Sequence, residues 1–194
     1  MWDKAFLINL DYRKDRLELT RLELAKWGIE FERYSANTAK IGKDGCRLSH
    51  IGVLKKSLSE NVSPLIIEDD IIISNDYTNS FEYVQSLEKI DDWDCFFYYC
   101  DHLHSPVRIN SWVLLGPTFC THFYIVNKNS ISKVLKVLEG GTRNLDDAFI
   151  SARKELHIYC ASRNLVFQNT GIKSDISGRT RRNGEMGGLF INKI

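Results

Sequence analysis

The sequence predicts an α/β domain in which a mainly parallel central sheet carries helices on both faces. Short apolar runs alternate with longer helix-forming segments along the first 70 residues, which is the pattern of β-α-β units. A strand-like run at residues 64–73 carries three consecutive carboxylates at its centre. The chain has 194 residues, 43% hydrophobic and 26% charged, as expected for one globular domain.

The first part of the chain predicts three strands and two helices. Strands are indicated at residues 6–10, 29–34 and 65–67, with helices at 13–27 and 48–58. The leucines of the first helix partly alternate, so its assignment depends on length, helix propensity and the Gly28 stop. Parallel strands end at one edge of a sheet, so Asn9 and Glu68 should face one crevice.

The second part predicts further strands and helices, then a polar tail. Residues 93–99 form an aromatic strand that is apolar on both faces and therefore central. Two strands flank the Gly116-Pro117 turn signal, and residues 130–138 form an amphipathic helix that Gly140 ends. The two strands that flank this turn are at 111–115 and 119–126. The remaining elements are a helix at 77–90, a short helix at 146–155 and a strand at 165–167. Residues 171–194 are expected to be a loop-rich or partly disordered tail of a single domain, 1–194.

Composition constrains the function class. The net charge of +1 comes from 26 basic and 25 acidic residues, so no overall field favours nucleic acid or an anionic membrane as partner. Five cysteines, an odd number without small-scaffold spacing, indicate thiols in a reducing compartment. The first ten residues resemble neither a signal peptide nor a membrane span. We therefore expect a cytoplasmic protein with no transmembrane segment.

The acidic strand end is the most informative feature. Glu68, Asp69 and Asp70 follow the apolar residues 65–67, and burying three carboxylates would be costly without a compensating cation. Carboxylate oxygens at such a place suit Mg²⁺ or Mn²⁺, which often bridge one or two carboxylates to nucleotide phosphates. A solvated turn after a buried strand is the alternative, and these three residues alone leave both interpretations open.

A second polar group follows the first strand. Asn9, Arg13 and Arg16 lie at a helix start, where backbone amides and nearby arginines favour phosphate. Arginines at a helix N-terminus oppose the helix dipole unless an anion is present, which disfavours the alternative of a basic, solvated first turn.

Several ordered motifs resemble glycosyltransferase family 25, which includes bacterial lipooligosaccharide galactosyltransferases and procollagen galactosyltransferases. The similar segments span nearly the whole chain: Ile8-Asn9-Leu10 with Arg13 and Arg16, Gly45-Cys46-Arg47-Leu48-Ser49-His50, Ile66-Ile67-Glu68-Asp69-Asp70, Trp93-Asp94, Cys120 to Val126, Leu145-Asp146, and Leu165 to Gln168 with Asp175.

The resemblance implies a GT-A fold and an inverting, metal-dependent transfer of a hexose, galactose or glucose, from a UDP-sugar to a hydroxyl acceptor. The acceptor would be a glycan, such as lipopolysaccharide, a protein or another hydroxyl compound. Asp70 and Glu68 would hold Mn²⁺ or Mg²⁺. The implied donor-binding residues are Asn9, Leu10, Arg13, Arg16, Ser49, His50, Glu68, Asp69, His122 and Gln168. Asp175 falls where late donor or acceptor contacts are expected.

Inversion needs a carboxylate that removes the acceptor proton, and Asp146 or Asp147 is the candidate, with Asp146 in the better-matched position. Helix capping is the alternative use of these aspartates. His50 is expected at a helix start, where it contacts the donor or caps the helix. His122 is expected either under the sugar or in the core.

Other function classes remain as alternatives. A non-catalytic sugar-nucleotide or glycan-binding module would keep the same fold, while nucleotidyl transfer lacks the support of a Gly-rich loop. A zinc site of Cys95, Cys100, His102 and His104 is disfavoured, because the two cysteines would face opposite sides of a strand. The basic segment 179–182 suits phosphates or, more simply, a solvated tail.

Overall fold

The computed structural model describes residues 2–75, 77–99, 101, 106–116, 119–141, 144–169, 171–172 and 175. Within these residues the chain forms ten strands and five α-helices, and a 3₁₀ turn at Lys128–Ser130 precedes the fourth helix. In chain order they are β1 Lys4–Asn9, α1 Lys14–Ala25, β2 Glu32–Ser35, α2 Gly42–Glu60, β3 Pro64–Glu68, β4 Ile71–Ile73, α3 Tyr77–Glu88, β5 Cys95–Phe97, β6 Val107–Arg108, β7 Val113–Leu115, β8 Phe123–Val126, α4 Ile131–Glu139, α5 Leu145–Ser151, β9 Ile158–Ala161 and β10 Val166–Gln168.

Eight of these strands form one sheet in the order β2-β1-β3-β8-β5-β9-β7-β6. β1 pairs in parallel with β2 and β3, and β5 pairs in parallel with β9. β8 runs antiparallel to both β3 and β5, and β7 runs antiparallel to both β9 and β6. Six of the eight described strands therefore share one direction, as predicted, while the reversed β8 and β7 make the sheet mixed.

Helices cover both faces of this sheet, as the sequence predicts. Apolar residues of α2, α4 and α5, including Val53, Val134 and Phe149, form one core cluster with the sheet. Residues of α1 and α3, including Leu24 and Tyr83, form the other cluster. β5 lies between β8 and β9 and is fully buried, so the prediction of a central aromatic strand is confirmed.

A small second sheet extends the acidic strand end. β4 begins directly after Asp70 and pairs antiparallel with β10, so that Gln168 lies opposite Ile71. The sequence predicts strand character at both ends of the run 64–73, but it does not predict that residues 71–73 pair with a late strand, because pairing depends on long-range packing. This pairing brings the late strand next to the acidic residues.

Several other boundaries differ from the predicted ones. α2 begins at Gly42 rather than at residue 48, so His50 lies inside the helix and does not cap it. α5 ends at Ser151. The sequence does not predict β6 and β9, because they are only two and four residues long. Cys100, His102, His104, Pro117 and segment 179–182 lie outside the described residues.

Among the described residues, no helix combines the length and the apolar character needed to cross a membrane.

Candidate active site

A pocket of about 210 Å³ opens at the carboxyl ends of β1 and β3. These two strands are parallel neighbours, so the polar residues that follow them meet at one edge of the sheet. The loop after β2 and the first turns of α2 close another side. The predicted site residues that line the pocket are Asn9, Leu10, Arg16, Ser49, His50, Glu68, Asp69, Asp70 and Gln168.

Asn9 connects the two strand ends. Its buried side-chain amide donates to Asp69 Oδ2 at 2.7 Å and to the backbone oxygen of Arg13 at 3.0 Å. Its side-chain oxygen accepts from Arg33 Nε at 3.0 Å. The asparagine thus holds the start of α1 against the acidic residues.

Arg16 is the buried cation of the site. Its side chain is only 7% exposed, and Nη2 lies 2.6 Å from Asp69 Oδ1 and 3.0 Å from Asp70 Oδ2. Nη1 lies 2.9 Å from Asp175 Oδ2. One guanidinium thus contacts three carboxylates, two of which, Asp69 and Asp70, belong to the acidic end of β3, and it partly offsets the cost of burying them.

Asp70 retains one oxygen without a partner. Oδ2 accepts from Gln168 Nε2 at 3.0 Å in addition to its contact with Arg16. Oδ1 is buried and has no hydrogen-bond partner in the described part of the chain. A buried carboxylate oxygen that lacks a donor fits a cation ligand, so the residues present are compatible with Mn²⁺ or Mg²⁺ at Asp70.

Glu68, Asp69 and Asp70 differ in how easily their carboxyl groups ionise. Burial raises the pKa of Asp69 to about 6, although Arg16 and Asn9 act in the opposite direction. Burial and the negative charge of Glu68 raise the pKa of Asp70. For Glu68, burial opposes ionisation, but the adjacent His50 ring, with charge from His122 and Arg16, lowers the pKa. The site therefore attracts a positive charge.

α2 contributes two buried polar side chains. Ser49 Oγ donates to the backbone oxygen of Gly45 at 2.7 Å and accepts from the amide of Asn37 at 2.8 Å, which ties the loop after β2 to the helix. His50 Nδ1 lies 3.0 Å from Tyr124 Oη, and the two rings are stacked. His50 Nε2 is turned toward Glu68 Oε1 at 3.4 Å.

Arg13 lies beside the pocket rather than on its wall. Its guanidinium donates to both oxygens of Asp15 and to Asp175. Tyr12 Oη also donates to Asp175, at 3.2 Å. Asp175 therefore bridges both arginines, and it lines the pocket itself.

The two candidate base residues lie in different surroundings. Asp146, in the first turn of α5, accepts hydrogen bonds from Thr121, and burial together with the charge of Glu68 raises its pKa. Asp147 is exposed and accepts from Asn144 Nδ2 at 2.5 Å. Neither aspartate lines the pocket, but Asp146 is close enough to Glu68 and His50 for these residues to affect its pKa.

His122 is buried, and its Nε2 lies 3.1 Å from the backbone oxygen of Val166. This position corresponds to the core alternative, and His122 does not line the pocket. Its ring packs against Tyr99 at a centroid distance of 5.1 Å.

The pocket is also lined by Cys46 and by the loop at residues 37–39, for which no role is predicted from the sequence. Cys46 precedes His50 by four residues, so an earlier helix start would have placed both on one helix face. The loop has no chemical signal in its sequence; only its packing against Ser49 places it here.

The chain is similar to a known protein family and to solved structures. The model of glycosyltransferase family 25, described as LPS biosynthesis protein, matches residues 41–111. The crystal structure of a glycosyltransferase involved in the glycosylation of the major capsid of PBCV-1 is 11% identical, with a TM-score of 0.39, over 78% of this chain and 67% of its own. No curated protein matches significantly. The predicted resemblance is thus confirmed over residues 41–111, which carry Cys46, Ser49, His50 and the Glu68-Asp69-Asp70 strand end and are similar to glycosyltransferase family 25.

Proposed function

We propose that this chain is a metal-dependent, inverting glycosyltransferase that moves a hexose from a UDP-sugar to a hydroxyl acceptor. Galactose or glucose is the favoured sugar, and a glycan of the lipopolysaccharide type is the favoured acceptor. The observation that carries the proposal is the buried Asp70 Oδ1, which has no hydrogen-bond partner among the described residues. Asp70 lines the same pocket as Arg16, and it belongs to the segment 41–111 that matches the family. A GT-A type of fold and a cytoplasmic location remain part of the proposal.

Asp70, assisted by Glu68, would hold Mn²⁺ or Mg²⁺. When bound, the ion would neutralise the charge of the departing diphosphate. Asn9, Leu10, Arg13 and Arg16 would hold the nucleotide, and Asp69 keeps Asn9 and Arg16 in place through the contacts described above. Because Arg16 and Arg13 are already paired with Asp175, a diphosphate would have to displace that carboxylate.

Asp146 is the proposed general base. It would take the proton from the acceptor hydroxyl as that oxygen bonds to the anomeric carbon and the diphosphate leaves with the bonding electrons. A raised pKa makes the Asp146 carboxylate a stronger base than an ordinary aspartate, which suits this role. Asp147 is the second candidate; its exposure and its bond to Asn144 favour a structural role in the first turn.

The remaining donor-site residues are proposed to position others. His50 orients Glu68, Ser49 fixes the loop after β2, and Gln168 holds one oxygen of Asp70. His122 would support the pocket from behind through its contact with the backbone oxygen of Val166.

The test is UDP release from a panel of UDP-sugars with Mn²⁺. Asp70→Asn keeps the shape of the side chain but removes its charge, so we expect at least about a 100-fold loss of release, the scale of losing one electrostatic stabiliser of a transition state. The exposed Asp91→Asn is the matched control and should retain activity.

Release that neither EDTA nor Asp70→Asn reduces would contradict the metal assignment. Stabilisation by a UDP-sugar without any release would instead favour a non-catalytic binding module. Absence of both release and stabilisation would remove the nucleotide-sugar proposal.

A further inference from the structure

We propose that Cys46, His50 and Glu68 form a binding site for a divalent transition metal of the zinc type, distinct from the Asp70 site. The sulfur, the imidazole nitrogen and the carboxylate oxygen of these residues all lie within 4.8 Å of one another. All three residues line the pocket described above. This inference goes beyond the proposed function, because metal binding here does not require turnover.

The backbone presents two of the ligands together. Cys46 and His50 are four residues apart within α2, so they lie on the same helix face, one turn apart. Glu68 ends β3 and approaches them from the sheet. Two ligands on one helix and a third on a strand end give a site supported by regular structure.

An unpartnered nitrogen is the independent sign of a missing ligand. His50 is fully buried, and its Nε2 has no hydrogen-bond partner in the described part of the chain. Its polar neighbour is Glu68 Oε1 at 3.4 Å, the contact that lowers the pKa of Glu68, and this contact is longer than a usual N–H···O bond. The other ring nitrogen lies 3.0 Å from Tyr124 Oη, which can hold the ring so that Nε2 is free for a metal.

The distances fit a tetrahedral ion after a small contraction. With metal–ligand bonds of roughly 2.0–2.3 Å, tetrahedral ligands are about 3.5 Å apart. The widest separation here must therefore close by roughly 1 Å. Cys46 and Glu68 are only partly buried, so their side chains would be the ones to move.

The chemistry of the three ligands selects the metal. A thiolate and an imidazole suit Zn²⁺ or Co²⁺, whereas Mg²⁺ and Mn²⁺ prefer oxygen. Binding would release the thiol proton of Cys46 to solvent as the sulfur–metal bond forms. Three protein ligands leave a fourth position, which is open to water or a ligand in the pocket. The Asp70 site shares only Glu68 with this group.

Titration of the metal-free chain with Co²⁺ alone tests the proposal. We expect one ion per chain and a thiolate-to-cobalt charge-transfer band. Cys46→Ser should remove the band and weaken binding more than about tenfold, the loss that even outer ligand partners cause. Cys120→Ser, at a cysteine of similar partial exposure, should keep the band, and so should Asp70→Asn.

A second measurement uses the unmodified chain, so that a folding defect of Cys46→Ser cannot decide the result. Zn²⁺ should protect Cys46, but not Cys120, from alkylation mapped by mass spectrometry. Absence of both the band and the protection would overturn the proposal, as would a band that persists in Cys46→Ser. Loss of UDP release in Asp70→Asn with an intact cobalt band would separate the two metal sites.

Discussion

Asp69→Asn should make the protein more stable at pH 8, although it changes a pocket residue. Asp69 is buried, and its pKa is raised from 3.8 to about 6 despite the contact with Arg16. One pKa unit corresponds to 1.36 kcal/mol, so ionised Asp69 destabilises the folded state by about 3 kcal/mol. Asparagine imitates the neutral acid, but its single oxygen can accept from either Asn9 Nδ2 or Arg16 Nη2, which contact different oxygens of Asp69.

The sign follows from proton binding. Between about pH 4 and pH 6 the folded chain holds the Asp69 proton more tightly than the unfolded chain, so the free energy of unfolding falls as pH rises. Above pH 6 both states are ionised and the deficit stays constant. Asp69→Asn should therefore match the wild type near pH 4 and exceed it by about 3 kcal/mol at pH 8.

The assay is urea unfolding followed by tryptophan fluorescence at several pH values in EDTA, so that bound metal does not contribute. The exposed Asp91→Asn should run parallel to the wild type. An Asp69→Asn protein that is no more stable at pH 8, or whose gain does not shrink toward pH 4, would refute this account of the buried charge.

Three further outcomes are expected. Gly45→Ala would place a methyl group 2.7 Å from the Asn37 backbone oxygen, so it should lower the free energy of unfolding in urea by about 1–3 kcal/mol. It should also weaken UDP binding, because the displaced loop at residues 37–39 lines the pocket. An unchanged UDP affinity in calorimetry would contradict this effect on the loop. In Gly52→Ala the added methyl group would lie 2.0 Å from Tyr34 Oη, so the free energy of unfolding should fall by about 1–3 kcal/mol. Adding Tyr34→Phe should restore part of this stability, and a double variant that is no more stable would count against the clash. Asp175→Asn should raise the affinity for UDP in calorimetry, because it frees Arg13 and Arg16 from the carboxylate that bridges them. Weaker binding would show that Asp175 supports the pocket instead.

Part of the site could be predicted from the sequence because its residues follow strands. Asn9 and Glu68 end neighbouring parallel strands, and such ends meet at one edge whatever the rest of the sheet does. The burial cost of three adjacent carboxylates predicted a compensating cation, Mg²⁺ or Mn²⁺; the structure adds Arg16, which contacts Asp69 and Asp70, and the metal stays a prediction.

The sequence by itself determined the alternating α/β organisation, the central aromatic strand and the acidic strand end, because hydrophobic periodicity and the cost of buried charge act locally. Only the tertiary structure decided that β8 and β7 run against the other strands, since strand direction leaves no trace in a short apolar run. It also decided that Gln168 and Asp175 reach Asp70 and Arg16, and that Cys46 and His50 face Glu68. Those contacts join residues far apart in the chain, and long-range packing rather than local propensity fixes them.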